Sequence, residues 1–173
     1  MLSAFLSCVL ALPGSNNLSG FHLRVEKEAR RMLVMEGRDT LKVYQVALGS
    51  GAADAGTKLI RGDHKTPEGV YIIRSRNPNS SFYKSFLIDY PSVTDAKRGL
   101  EGGVIKKSEY LSILQAHRDG KLPPQRTALG GDICIHGGYT EADWTWGCVA
   151  VGNEGMDSLW GQVKVGTKVE IVP

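Results

Sequence analysis

The sequence predicts a mainly β domain, sandwich-like or barrel-like, with a few short helices. Short apolar or alternating runs recur along its 173 residues with Gly, Pro, Asn and Asp between them, the pattern of strands joined by turns. Only two segments combine helical apolar spacing with a start and a stop signal. No internal repeat is present, and 42% apolar content at this length suits one domain with a real core.

Met1 to Leu12, MLSAFLSCVLAL, is apolar and uncharged and runs into Pro13-Gly14 and a polar stretch from Ser15 to Ser19. It is too short to span a bilayer, which needs roughly 20 apolar residues. It reads as the hydrophobic part of a secretory signal lacking the usual positive start, with a buried N-terminal strand or helix as the alternative. Residues 1–19 are therefore expected to be a signal segment and linker, and residues 20–173 the folded domain. Phe5-Leu6-Ser7-Cys8 loosely resembles a lipoprotein cleavage box, so Cys8 is a candidate lipid anchor beside the plainer reading of an apolar cysteine.

Phe21 to Glu28 and Arg31 to Val34 have strand character, and Leu41 to Leu48 forms another run after the turn residues Glu36-Gly37-Arg38-Asp39. Gly49 to Gly62 reads as a loop. Thr66-Pro67-Glu68-Gly69 is a turn, since Pro fixes one dihedral and Gly frees another, and Val70 to Ile73 leaves it as a strand. Arg76 to Ser81 is expected to be a loop, and Phe86 to Tyr90 a strand closed by Pro91. Between Ser92 and Gly131 one helix is expected, capped by Ser108, striped by Tyr110, Leu111, Ile113 and Leu114, and stopped by Gly120. Asp132 to His136 reads as a buried strand. Asn153 is placed to cap a short helix through Met156, Leu159 and Trp160, and Lys168 to Val172 closes the domain as a strand.

Lys+Arg at 21 against Asp+Glu at 18 gives a net charge of +3 with no long basic run. That balance does not suggest a nucleic-acid partner. The chemistry concentrates in DICIHGGYTEADWTWGCVAVGN, Asp132 to Asn153, which holds two of the 3 cysteines and one of the 4 histidines. A strand ending in His136-Gly137 puts an imidazole at a sheet edge, and Trp146-Gly147-Cys148 makes a turn on which a thiol can stand. Such a thiol and imidazole suit nucleophilic catalysis: the histidine takes the proton and the thiolate attacks a carbonyl. Amides around Gly147 and Cys148 would then hold the oxyanion. Other readings remain open from the residues alone. Either cysteine can be core packing; Cys134, His136 and Cys148 can supply three zinc ligands, with Asp143 the nearest fourth; and Cys134 can pair with Cys148 in a disulfide.

His136-Gly137 followed by Thr145-Trp146-Gly147-Cys148 resembles the signature of the L,D-transpeptidase catalytic domain (YkuD) family. Asp63-His64-Lys65-Thr66-Pro67-Glu68-Gly69-Val70-Tyr71 is similar to a second motif of that family. Asn153-Glu154-Gly155-Met156 and Gly166 to Ile171 are similar to members of an exported bacterial subgroup. The resemblance runs from about His22 to Pro173. It implies an exported, periplasmic or cell-envelope transferase acting on peptidoglycan stem peptides through a cysteine acyl-enzyme, in cell-wall biogenesis and cell shape, with no cofactor, no metal and no stable membrane span. It implies Cys148 as nucleophile, His136 as base, the Gly137 carbonyl as orienter of the imidazole, the amides near Gly147 and Cys148 as oxyanion donors, and Thr145 as support of the turn. The same site would serve an L,D-carboxypeptidase or murein amidase, and a peptidoglycan-binding domain without activity is the remaining alternative. Two positions depart from the family pattern: Trp146 stands where many members have His, and Ala150 where many have Arg. Arg74, Arg76, Lys84 and Arg126 are candidates to replace that Arg, and Tyr83, Trp144 and Trp146 to present flat surfaces to substrate.

Overall fold

The structure, a computed structural model, describes residues 20–53 and 56–173. The expected signal segment at 1–19 and the candidate anchor Cys8 lie outside the described residues. The chain forms β1 (Phe21–Glu26), β2 (Arg31–Glu36), β3 (Asp39–Ala47), β4 (Gly69–Ser80), β5 (Tyr83–Ile88), β6 (Cys134–His136), β7 (Val149–Val151) and β8 (Lys168–Val172). Among the described residues three α-helices accompany them, α1 (Val93–Glu101), α2 (Lys107–Arg118) and α3 (Asn153–Trp160), and a short 3-10 helix, Ser50–Ala53, opens the stretch expected to be a loop.

The strands close into a barrel in the order β1-β2-β3-β7-β6-β5-β4-β8, and closure leaves no open sheet edge at the ring. Neighbours run antiparallel except β1 with β8 and β6 with β7, which are parallel. The expectation of a β-rich, barrel-like domain with few helices therefore holds. Leu23, Val25, Met32 and Val34 of the first hairpin meet Tyr71, Ile73, Phe86, Ile135 and Val169 inside it. Each such fully buried side chain contributes about 1.5–3 kcal/mol of transfer free energy. Met156 and Leu159 of α3 extend this core. A second cluster, Ala96, Ile105, Ile113 and Leu129, packs α1 and α2 beside the barrel.

Four local expectations change. Arg76 to Ser81 is not a loop: β4 continues to Ser80 and pairs with β5. A register shift between Asn77 and Ser80 absorbs Pro78, since a bulge does not need the ladder donor that proline lacks.

The region after Pro91 holds two helices rather than one. Ser92 and Asp95 form a reciprocal capping box at the start of α1. Gly99, whose breaker character hid this helix in the sequence, permits contact: an added Cβ would lie 2.7 Å from Leu129 Cδ2. In α2, Glu109 accepts from the Lys106 amide at 3.0 Å, so the helix starts one residue before Ser108.

Asn153 is the first residue of α3 and Gly152 its cap. Its side chain is used elsewhere, accepting from the Gly138 amide at 3.1 Å.

Candidate active site

The parallel β6–β7 pair builds the site. Its register sets Ile135 opposite Val149 and His136 opposite Ala150, an offset that brings Cys134 beside Cys148. Directly paired residues share a face, and residues two apart along a strand share it too. Cys134, His136 and Cys148 thus fall on one face, while Ile135 and Val149 point into the core. The Cys134 amide donates to Cys148 Sγ at 3.3 Å. Both cysteines are free thiols, so the disulfide alternative is not formed. Among the described residues no group of three His, Cys, Asp or Glu side chains is placed to hold a metal ion, so the three-ligand zinc arrangement is not formed either.

The turn that delivers Cys148 is fixed from both sides. Leu48 O accepts from the amides of Trp144 and Thr145, each at 3.1 Å, and Ser50 N donates to Thr145 O at 2.8 Å. Thr145 is buried; its hydroxyl donates to Cys148 O at 2.7 Å and accepts from Gly147 N at 3.2 Å. Gly147 has φ +119°, and a Cβ there would lie 2.7 Å from Lys65 O. The turn therefore requires glycine on conformation and on space. Thr66, from the second motif, accepts from Gly49 N at 3.0 Å, which ties that motif to the same corner.

His136 is only 2% exposed. Its Nδ1 lies 2.6 Å from Gly137 O, which makes Nδ1 the donor and turns Nε2 toward the thiol. Phe82 stacks on the imidazole at 4.6 Å, and Trp144 meets it edge-on at 5.6 Å. Gly137 admits this packing, since a Cβ would lie 2.5 Å from Asn153 Oδ1 and 2.9 Å from Phe82 O.

Electrostatics separates the two thiols. The hydrogen bond from the Cys134 thiol is the largest influence holding Cys148 well below the ordinary thiol range; burial opposes it, and the His136 imidazole adds to it. Cys134 moves the other way, because its thiol donates a hydrogen bond to the Cys148 sulfur and burial disfavours its thiolate. Burial pushes His136 down, but its bond to Cys148, its bond to the Gly137 carbonyl and the thiolate charge together raise it. Together these directions favour movement of the Cys148 proton toward His136 and keep the proton on Cys134. In its neutral form the Cys148 thiol donates to Asp132 O at 3.6 Å.

A cleft of about 930 Å³ opens over this pair. Trp146, 78% exposed, stands at its rim and stacks on His64 at 5.6 Å with the rings 10° apart. Arg126, Trp144 and Thr145 also line the cleft. Tyr83 is not among the lining residues: its hydroxyl donates to both carboxylate oxygens of Asp157, at 2.8 and 2.9 Å. Asp143 is held by Arg30 at 2.8 Å and accepts from Leu48 N. Sequence reasoning missed Phe82, His64, Arg61 and Gln125, all of which line the cleft. Only His64 carried a signal, through the second motif.

A model of the L,D-transpeptidase catalytic domain family (YkuD) matches residues 20–171. Putative L,D-transpeptidase YafK of Escherichia coli K12 is 27% identical over 148 residues, which cover 82% of this chain and 46% of that protein. The chain thus spans about half the length of the curated relatives it matches. Among solved structures, the helical cell shape determining protein Pgp2 (K307A mutant) of Campylobacter jejuni is similar with a TM-score of 0.57 and 23% identity, over 91% of this chain and 51% of that one. Bd1075 of Bdellovibrio bacteriovorus is similar at 0.55 and 24%, over 89% and 48%. An L,D-transpeptidase fragment of Xylanimonas cellulosilytica is similar at 0.54 and 14%, over 94% and 65%. At these identities the solved structures speak to the fold.

Proposed function

Since the chain belongs to the L,D-transpeptidase catalytic domain family, we propose that it is a cysteine acyltransferase acting on murein stem peptides in cell-wall cross-linking or remodelling. The observation that carries this reading is the Cys148 thiol lowered beside the imidazole of His136 at the floor of an open cleft. In the reaction, Cys148 Sγ adds to the carbonyl carbon of the L-centre of the third stem residue. The C–N bond to the terminal D-residue then breaks, and the amine leaves with the proton supplied by His136.

The thioester that remains passes its acyl group to an amine of a second stem, while His136 takes the proton of the attacking amine. Water in place of that amine gives the hydrolytic outcome from the same thioester. During addition the oxygen gathers negative charge at the Gly147–Cys148 turn. The Gly147 amide is already engaged by Thr145, so the Cys148 amide is the first donor to it. Gly137 O holds the imidazole in the tautomer that receives the proton at Nε2. The reading places the protein outside the cytoplasm, in the periplasm or cell envelope, with residues 1–19 as its export signal and linker. Among the described residues no helix is long and apolar enough to cross a membrane.

The test is the intact mass of the purified protein and of Cys148→Ala after incubation with imipenem, the ligand of one structurally similar L,D-transpeptidase. The expected result is one adduct on the parent protein and none on the variant, followed by release of the terminal D-residue from a stem tetrapeptide by the parent alone. A reduced, alkylatable Cys148 that forms no adduct and releases nothing would overturn it.

A further inference from the structure

Among the described residues that line the cleft over Cys148, only Asp132 carries a carboxylate. The nearby carboxylates on the loops around the cleft are committed. Asp63 accepts from Lys58 Nζ at 2.7 Å and from the amides of Leu59, Ile60 and Lys65. Asp143 is held by Arg30, and Asp157 by Tyr83 and Lys84. Asp132 differs. It is exposed, and its carboxylate makes no hydrogen bond or ion pair with any described residue.

The chain is held firmly where Asp132 stands. Its φ is +56°, in the left-handed region that Asp and Asn enter more readily than other side chains. A Cβ on the preceding Gly131 would lie 2.3 Å from Gln125 O, so the backbone passes tightly against Gln125. The Gln125 side chain accepts from Asp132 N at 2.7 Å and donates to Tyr90 O at 2.9 Å and to Pro123 O at 2.7 Å. On its other side, Asp132 O accepts from the Cys148 thiol at 3.6 Å. A pinned turn thus sets one free carboxylate in the residue whose carbonyl already meets the reactive sulfur.

The second half of acyl transfer gives that placement a use. The acceptor is an amine, which arrives at neutral pH as an ammonium, whereas the competing water is neutral. A carboxylate beside the thioester attracts the first and offers the second no charge to gain from.

We propose that Asp132 is the acceptor-binding residue of the cleft: its carboxylate holds the ammonium of the incoming amine beside the thioester and so favours transfer over hydrolysis. The ammonium gives one proton to solvent. The neutral nitrogen then forms the C–N bond as the C–S bond breaks, its second proton passes to His136, and Cys148 leaves as thiolate. Asp132 is unchanged throughout. The proposal rests on the acyl-transfer reading above and names the acceptor side of the same site.

The test uses one donor, a stem tetrapeptide whose side-chain amine is acetylated, and two acceptors. One is a stem tripeptide with the free side-chain amine of diaminopimelate; the other is hydroxylamine, which is uncharged at neutral pH. Transfer and hydrolysis would be measured for the parent, Asp132→Asn and Asp132→Glu, with urea midpoints to establish folding. In Asp132→Asn the KM for the tripeptide acceptor should rise about fivefold or more, and its transfer-to-hydrolysis ratio should fall in proportion. Hydrolysis and transfer to hydroxylamine should change less than about twofold, and Asp132→Glu should recover part of the loss. Equal effects on the two acceptors, no effect on either, or a parent that only hydrolyses the donor would each overturn the proposal while leaving the acyl-enzyme reading in place.

If the parent cuts no peptide, the function proposed above fails, and the cation site is decided on Cys148 itself. The rate of modification by the cationic 2-aminoethyl methanethiosulfonate, divided by that for the neutral methyl methanethiosulfonate, falls in Asp132→Asn if the carboxylate draws cations to the sulfur. An unchanged ratio overturns the site.

Discussion

Two cysteines of similar local sequence end in opposite states. Cys134 lies between Ile133 and Ile135 and Cys148 between Gly147 and Val149, and only the register of β6 against β7 makes them neighbours. Cys134 then serves as hydrogen-bond donor to the Cys148 sulfur, a role beyond the packing its apolar flanks suggest. Cys134→Ala removes the largest influence lowering Cys148 while leaving the contact from the backbone amide. The thiolate fraction at neutral pH should fall, so the midpoint of iodoacetamide alkylation against pH should move upward toward the ordinary thiol range. Rates at high pH, where the thiol is ionised in both proteins, should converge. A midpoint that stays in place would mean that His136 alone sets the thiolate. Cys148 and His136 were legible as residues because a glycine turn and a strand end announced them. Phe82 was not: its contact with His136 crosses 54 positions, from 82 to 136, and nothing local marks it.

The turn from Trp144 to Cys148 is the element on which the site depends. Gly147→Ala places a methyl against Lys65 O and holds the residue at φ +119°. This should cost about 2 kcal/mol or more in urea unfolding and lower the Cys148 alkylation rate about tenfold or more. Gly166→Ala is the control, because φ there is +95° but no heavy atom lies within 4 Å of the added Cβ. It should show the conformational cost alone and leave Cys148 reactivity near the parent value. The elements read most accurately from sequence were those whose signals are local, such as β8. Those misread share one cause: a residue taken as a breaker had a tertiary use. Pro78 sits in a bulge of β4, and Gly99 lets α1 approach Leu129.

Across the whole molecule, barrel closure fixes the site by holding β6 and β7, each only three residues long, between longer strands. Strands so short have little stability of their own and depend on their neighbours. Ile135→Ala, at a position 1% exposed, should therefore lower stability by about 2–5 kcal/mol. The readout is a lower urea midpoint with little change in slope. A loss below about 1 kcal/mol would mean that the barrel does not hold β6 through its core face.

The sequence by itself determined the β-rich class and the turn glycines, because each follows from residue type and spacing of a few positions, and its motif resemblance named Cys148 and His136 as the candidate nucleophile and base. The tertiary structure alone decided which thiol is the more acidic, which aromatic ring covers the imidazole and which arginines face the cleft. Those depend on register and on loop-to-loop contact between residues far apart in the chain, and no local pattern encodes such distances.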